Sequence, residues 1–247
     1  RVVAAIADPN PQVAGKGLAM LSAAGIRTES GLLETEAREL NRGFLSRIER
    51  GRPFVRLKCA ASLDGKTALS DGLSQWITGE AARHDVQILR AESCAVLTGI
   101  GTVLADDPQL NVRAFPTLRH PLRIVLDSRL RLPPTAKLLA DPASPVLLLT
   151  AVPPEKYPAA LATVPHLDIL TVPAADSRIN LPAALTLLAE RGIGELLVEA
   201  GAVLCGAFLQ ADLADEIVLY QAGKILGGDA RSLFDLPENP AALQQPA

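Results

Sequence analysis

A-V-L-T-G-I-G-T-V-L-A-D-D-P-Q-L-N-V-R, residues Ala95 to Arg113, is the stretch on which the fold turns. Ala95 to Leu97 is a short apolar run closing on Thr98-Gly99, the pattern of a buried strand entering a turn. Gly99 and Gly101 carry no Cβ, so the backbone there can approach a ligand closely. Asp106 and Asp107 then precede Pro108, and Arg113 closes the segment. A glycine turn, paired carboxylates and a terminal cation suit a ligand site better than a core strand. The G-x-G pair alone is a weak dinucleotide signal, because Leu104 stands where the fingerprint has its third glycine.

The 247 residues suffice for one sizeable α/β domain with part of another. The composition is 49% apolar with few aromatics, so the core must be built from Ala, Leu, Val and Ile. A net charge of −3 gives no electrostatic footprint for nucleic acid or an anionic membrane. No apolar run reaches the roughly eighteen residues of a membrane span, and the opening residues carry no basic n-region or signal-type apolar segment, so secretion is not expected. Cys59, Cys94 and Cys205 are scattered, which points to reduced thiols in the cytoplasm rather than a disulfide framework. His84, His120 and His166 are equally dispersed, so no metal site is expected.

Outward from the central stretch, short strands are expected at Val2 to Ile6, Phe54 to Ala60, Arg123 to Asp127, Val146 to Thr150, His166 to Val172, Glu195 to Glu199 and Glu216 to Gln221. Helices are expected at Gly17 to Ala24, Glu80 to Glu92, Pro182 to Arg191 and Ala202 to Ala211. Leu33, Ala37, Leu40, Phe44 and Ile48 mark the apolar face of one further helix, stopped by Gly51-Arg52-Pro53 at a domain boundary. On the Glu80 helix, Val86 and Leu89 face the core, while Arg83, Gln87 and Arg90 form a polar stripe whose default reading is a solvated face. Alternating strands and helices imply a mostly parallel sheet covered on both faces, with ligands bound beyond the carboxyl ends of the strands. Four polar clusters fall at such ends: the loop after Ala60, Gly99 to Asp107, Ser128-Arg129, and Glu199 to Gly206.

Gly201 to Gly206 is a glycine-bounded turn opening a helix, where backbone N–H groups and the macrodipole favour a phosphate. Both glycines read as positions of close approach rather than of packing. Arg90 and Arg113 add two guanidinium forks suited to another phosphate. There is no nucleophile elbow and no Walker lysine. Anion cradles and acids without a nucleophile or a metal suggest a cofactor that carries its own chemistry, such as a nicotinamide.

Four motifs are more specific. K-C-A-A-S-L-D-G-K-T-A (Lys58 to Ala68), S-Q-W-I-T (Ser74 to Thr78), G-T-V-L-A-D-D-P-Q-L-N-V-R (Gly101 to Arg113) and V-E-A-G (Val198 to Gly201) together resemble the reductase half of the bifunctional riboflavin-biosynthesis deaminase/reductase family. The resemblance implies a dihydrofolate reductase-like fold over residues 50–247, preceded in 1–49 by the tail of a cytidine deaminase-like α/β domain with its linker helix. It implies reduction of the ribosyl group of 5-amino-6-(5-phosphoribosylamino)uracil to ribityl with NADPH, in a cytoplasmic homodimer or higher homo-oligomer. The zinc motifs of the deaminase half, H-x-E and P-C-x-x-C, are absent from this stretch.

Carried over by motif, NADPH contacts fall on Ala60, Trp76, Thr102, Asp106, Ser128 and Gly201, Ala202, Val203, Leu204, Cys205, Gly206 and Ala207. Substrate contacts fall on Ser74, Arg90, Leu110, Arg113 and Glu199, and Lys58, Asp106 and Glu199 are the candidates to supply or relay a proton. Asp127 is expected to turn into its own loop, leaving Ser128 with Arg129 for the cofactor's 2′-phosphate. Two alternatives stand beside the reductase. The paired arginines disfavour a pterin reductase of the same fold, and intact Arg90, Asp106, Arg113 and Glu199 disfavour a non-catalytic nucleotide-binding module.

Overall fold

The computed structural model of the protein describes residues 1–74 and 77–238. Its apolar runs become strands because their side chains are covered from both sides. The chain opens with β1 (Val2–Ala4), α1 (Lys16–Ala23) and β2 (Thr28–Ser30), a small parallel β-α-β unit in which α1 buries no side chain. Two helices follow, α2 (Glu34–Leu40) and α3 (Arg42–Arg50).

The single helix expected over residues 33–48 is therefore broken, at Asn41, whose side-chain NH2 donates to the Ala37 carbonyl at 2.8 Å and closes the first segment. The break also changes the buried face. Leu40 is 84% exposed, and the residues of α3 that pack inward are Gly43, Leu45 and Ser46. Gly43 is needed because a Cβ there would overlap the Glu195 side chain and press on the Gly194 backbone. Gly51, in the left-handed region at φ 65°, ends α3 as its sequence position predicts.

Next come β3 (Phe54–Ser62), β4 (Lys66–Ala68), α4 (Glu80–Glu92), β5 (Ala95–Gly99), α5 (Ile100–Asp106), β6 (Leu122–Leu126), β7 (Val146–Thr150), α6 (Ala159–Ala162) and β8 (Leu167–Thr171). The hairpin β9 (Ala174–Ala175) and β10 (Arg178–Ile179) leads into α7 (Leu181–Glu190), β11 (Glu195–Val198), α8 (Ala202–Gln210), β12 (Glu216–Ala222) and β13 (Arg231–Ser232). The main sheet has seven strands in the order β12-β3-β11-β5-β6-β7-β8, and every neighbouring pair is parallel.

Alternation within the strands divides the core. Leu97, Ile124, Leu147 and Val198 face the helices α7 and α8, where Leu188 and Phe208 are buried. Val96 and Leu197 meet Leu89 of α4 on the opposite face, and Val125 and Leu148 meet Ile100 and Val103 of α5 there. Helices thus cover both faces, which is why the strands read as continuous apolar runs. This is the α/β, dihydrofolate reductase-like class expected from the motifs. Among the described residues no helix is long and apolar enough to cross a membrane.

Candidate active site

Because the sheet is parallel, the ends of β3, β11, β5 and β6 lie along one edge. That edge gathers the four polar clusters. Glu199 follows β11 at the middle of this row, between the strand carrying Lys58 and the strand leading into Gly99. A cavity of about 560 Å³ opens beside it, lined among others by Lys58, Gln87, Arg90, Arg113 and Glu199.

Arg90 and Glu199 form the fixed centre of the cavity. Arg90 Nε donates to Glu199 Oε1 at 2.5 Å, and a second guanidinium nitrogen donates to Oε2 at 2.9 Å. This is a bidentate fork across 109 residues of chain. Both side chains are buried, and Lys58 Nζ stands 4.0 Å from Glu199 Oε2. Burial alone would raise the Glu199 carboxyl. The charge of Arg90 and its hydrogen bonds, with Lys58 and Arg113 behind them, outweigh it and hold the carboxyl below its ordinary range. Burial likewise opposes the charge on Arg90, and Glu199 more than restores it.

The polar stripe on α4 is therefore not a solvated face. Gln87 is 7% exposed and Arg90 is 8% exposed. Sequence gave one hint of this, since Val86 and Leu89 put the core next to both.

Buried side chains also hold the loop that carries Arg113. Arg90 donates to the Asn111 carbonyl at 3.1 Å, and the Arg113 backbone N–H donates to Gln87 Oε1 at 3.0 Å. From the other side comes Arg123, on β6 and 0% exposed. It donates to the carbonyls of Gln109 (3.3 Å), Asp141 (3.1 Å) and Ser144. With no carboxylate bound directly, burial pushes its guanidinium down to about 10, and nearby Asp141 opposes that shift. Leu110 sits in the left-handed region at φ 54°, with its side chain buried against Val96 and Leu197. The result is a loop that presents an exposed Arg113 guanidinium at the cavity. Partial burial first, and repulsion from Arg90 second, lower that guanidinium from its ordinary value, while Glu199 pulls it back.

The structure brings together Lys58, Arg90, Arg113 and Glu199, and adds Gln87. Asp106 is not with them: it is exposed at the far end of α5. Ser74 is half-buried and outside the cavity lining, and Trp76 lies outside the described residues. Leu110 turns its side chain to the core, so a ligand can meet only its backbone.

On the cofactor side, Ala60 and Thr102 are half-buried, on β3 and in the first turn of α5. Asp127 behaves as expected. It is fully buried, and its carboxylate accepts from the N–H groups of Arg129 (3.3 Å), Arg131 (2.5 Å) and Leu132 (2.8 Å). Ser128 Oγ accepts from the Ile179 N–H at 3.2 Å, and Arg129 is exposed.

The 201–207 turn separates into two parts. Gly201 is exposed, and a Cβ there would meet nothing within 4 Å. Gly101 is equally open. Gly206 is corrected: it is buried, and a Cβ would overlap the Asp235 carbonyl oxygen, so this glycine serves packing. Cys205 is buried beside it, with its thiol pushed up by its partner Cys59 and by burial. Gly99 is half-buried, and a Cβ there would meet only the Leu204 side chain, whose end lies at 3.2 Å.

The family model described as the RibD C-terminal domain matches residues 53–246. The chain belongs to the RibD C-terminal domain family. Riboflavin biosynthesis protein RibD of Escherichia coli K12 is 45% identical over 249 residues, covering 96% of this chain and 66% of the relative. The solved structure of Acinetobacter baumannii RibD superposes with a TM-score of 0.86 at 45% identity, over 99% of this chain and 66% of that one. A Thermotoga maritima protein described as a diaminohydroxyphosphoribosylaminopyrimidine deaminase/5-amino-6-(5-phosphoribosylamino)uracil reductase superposes at 0.83 with 33% identity, over 97% of this chain and 64% of that one. The chain thus spans about two thirds of the length of the RibD proteins it matches.

Proposed function

We propose that this chain reduces the ribosyl group of 5-amino-6-(5-phosphoribosylamino)uracil to a ribityl group with NADPH, the reductase step of riboflavin biosynthesis. One observation carries the reading. The cavity gathers Lys58, Arg90 and Arg113 around a single buried carboxylate, and Arg90 is already committed to that carboxylate. Lys58 also stands against that carboxylate, which leaves Arg113 as the cation that meets a phosphorylated sugar's anion and has no such partner in a neutral pterin. The Thermotoga relative, described as a reductase of this compound, supports the same substrate.

The start of α8 fits the cofactor. Gly201 leaves room for close approach, and the first-turn N–H groups of Ala202, Val203 and Leu204 have no intrahelical acceptor. Thr102, in the first turn of α5, and Ser128, just past β6, follow the next two strands of the sheet. With Ala60, Asp106, Trp76 and the backbone of 201–207, they would hold NADPH, which supplies a hydride when bound.

The chain's own residues do the rest. Arg113 binds the 5-phosphate. Glu199, fixed by Arg90, accepts from the sugar hydroxyls through its remaining lone pairs. Lys58 Nζ delivers the proton to the nitrogen that gains charge as C1′ is reduced. It is the one proton carrier of the three candidates that suits the task, because Glu199 is held ionised and Asp106 lies outside the cavity lining. We further assign residues 1–49 to the end of a zinc-dependent deaminase half and 50–247 to the reductase, working in the cytoplasm as a homodimer or higher homo-oligomer. Exposed Ile217 and Leu219 on the edge strand β12 support self-association.

The test is NADPH oxidation by the purified protein with the phosphoribosylamino-uracil. Turnover is expected, with Lys58→Met lowering kcat by about a hundredfold or more, as loss of a general acid does. A folded protein that leaves NADPH unoxidised, or a Lys58→Met variant with unchanged kcat, contradicts the assignment.

A further inference from the structure

Gln87 is a buried polar residue that neither the motifs nor the proton chemistry uses. It sits one turn before Arg90 on α4 and lines the cavity. Its Oε1 accepts the Arg113 backbone N–H at 3.0 Å. Since an N–H can only donate, this bond fixes which end of the amide is oxygen and turns the NH2 the other way. Among the described residues that NH2 meets no acceptor. Nor is it sealed: the fully buried, partnerless side-chain polar atoms among the described residues are Thr98 Oγ1, His120 Nδ1 and Arg123 Nε. The amide NH2 thus keeps some access, on a 7% exposed residue that lines the cavity. Such an NH2, without an acceptor in the protein, is free to donate to a ligand oxygen.

We infer that Gln87 is a substrate-binding residue, its side-chain NH2 donating to an oxygen of the same phosphate that Arg113 holds. One amide then serves both ends of the contact. Its oxygen fixes the backbone from which the Arg113 side chain projects, and its nitrogen adds a neutral donor beside that cation. A lysine in this place would add charge but could not accept the Arg113 N–H. The inference rests on the phosphate reading of Arg113 given above.

Gln87→Glu keeps an oxygen to accept the Arg113 N–H and removes both donors, but it also places a negative charge beside the phosphate. KM for the phosphorylated substrate is expected to rise about ten- to a hundredfold with kcat retained, while KM for the dephosphorylated analogue stays put. Inorganic phosphate, used as a probe without turnover, should raise the Tm of the parent protein and not that of Gln87→Glu. Gln87→Met, neutral and of similar length, removes the donors without that charge and should show the same substrate selectivity, whereas a KM rise confined to Gln87→Glu is charge repulsion alone and overturns the assignment. A parent-like KM and a parent-like phosphate effect on Tm in the variant overturn the Gln87 assignment and leave Arg113→Ala to confirm the phosphate site. Equal losses on both substrates also overturn it, since Gln87 would then act on something other than the phosphate. A parent protein that uses both substrates equally and ignores phosphate overturns the phosphate reading, and this inference with it.

Discussion

The two ends of the candidate site are built from different materials. At the cavity, side chains do the work. Arg90, Glu199, Gln87 and Arg123 are all buried and bonded to one another or to the loop that carries Arg113. At the start of α8, backbone does it: an open glycine, a helix N-terminus and a packed glycine behind it. A site made of buried charge should be stable only as a whole, and costly to breach at any member. A site made of backbone should tolerate side-chain change where space is open and fail where it is not.

The largest effect expected from this contrast is at Glu199. Glu199→Ala leaves the Arg90 guanidinium buried without its counter-charge, which should cost about 3–5 kcal/mol in urea unfolding. The acid limb of stability should change with it. The folded Glu199 carboxyl lies below its ordinary range, so its contribution is present above about pH 4.3 and is lost as pH falls through the lower folded value. A variant lacking it should lose less stability than the parent on acidification through that window. An unchanged acid limb would mean that the pair is solvated.

Next in size is the pair of glycines on α8. Gly206→Val must displace the Asp235 backbone and should cost about 1–3 kcal/mol as overpacking. Gly201→Val meets open space, so its stability should stay within about 0.5 kcal/mol of the parent. Its effect should instead fall on NADPH affinity, read by cofactor fluorescence. Equal stability losses at both positions would erase the distinction between the packed and the open glycine.

The same contrast explains what sequence could and could not reveal. The inner strands were legible because a doubly covered parallel strand must be apolar throughout, as in Leu147 to Leu149 and Leu196 to Val198. The helix over Glu80–Glu92 was legible to its ends from its period and the preceding Gly79. Motif resemblance pointed to Lys58, Arg90, Arg113 and Glu199. It could not say that Arg90 is bound to Glu199, because that pairing follows from β11 lying between β3 and β5, a matter of strand order. Gln87 was hidden for a related reason: a polar stripe on a helix looks the same whether water or a loop covers it. Gly201 and Gly206 look alike in sequence as well, and only the Asp235 segment tells them apart. The break at Asn41 escaped because the 3.6-residue period continues through it.

The central claim is that the exposed Arg113, presented by its buried scaffold, selects a phosphorylated substrate. The direct measurement is kcat/KM for the phosphorylated compound and for its dephosphorylated analogue, in the parent and in Arg113→Ala. The parent should prefer the phosphorylated compound, and the variant should lose about ten- to a hundredfold on that compound alone, the worth of one charge-assisted contact. Equal losses on the two substrates would contradict the claim, since Arg113 would then be holding something other than the phosphate.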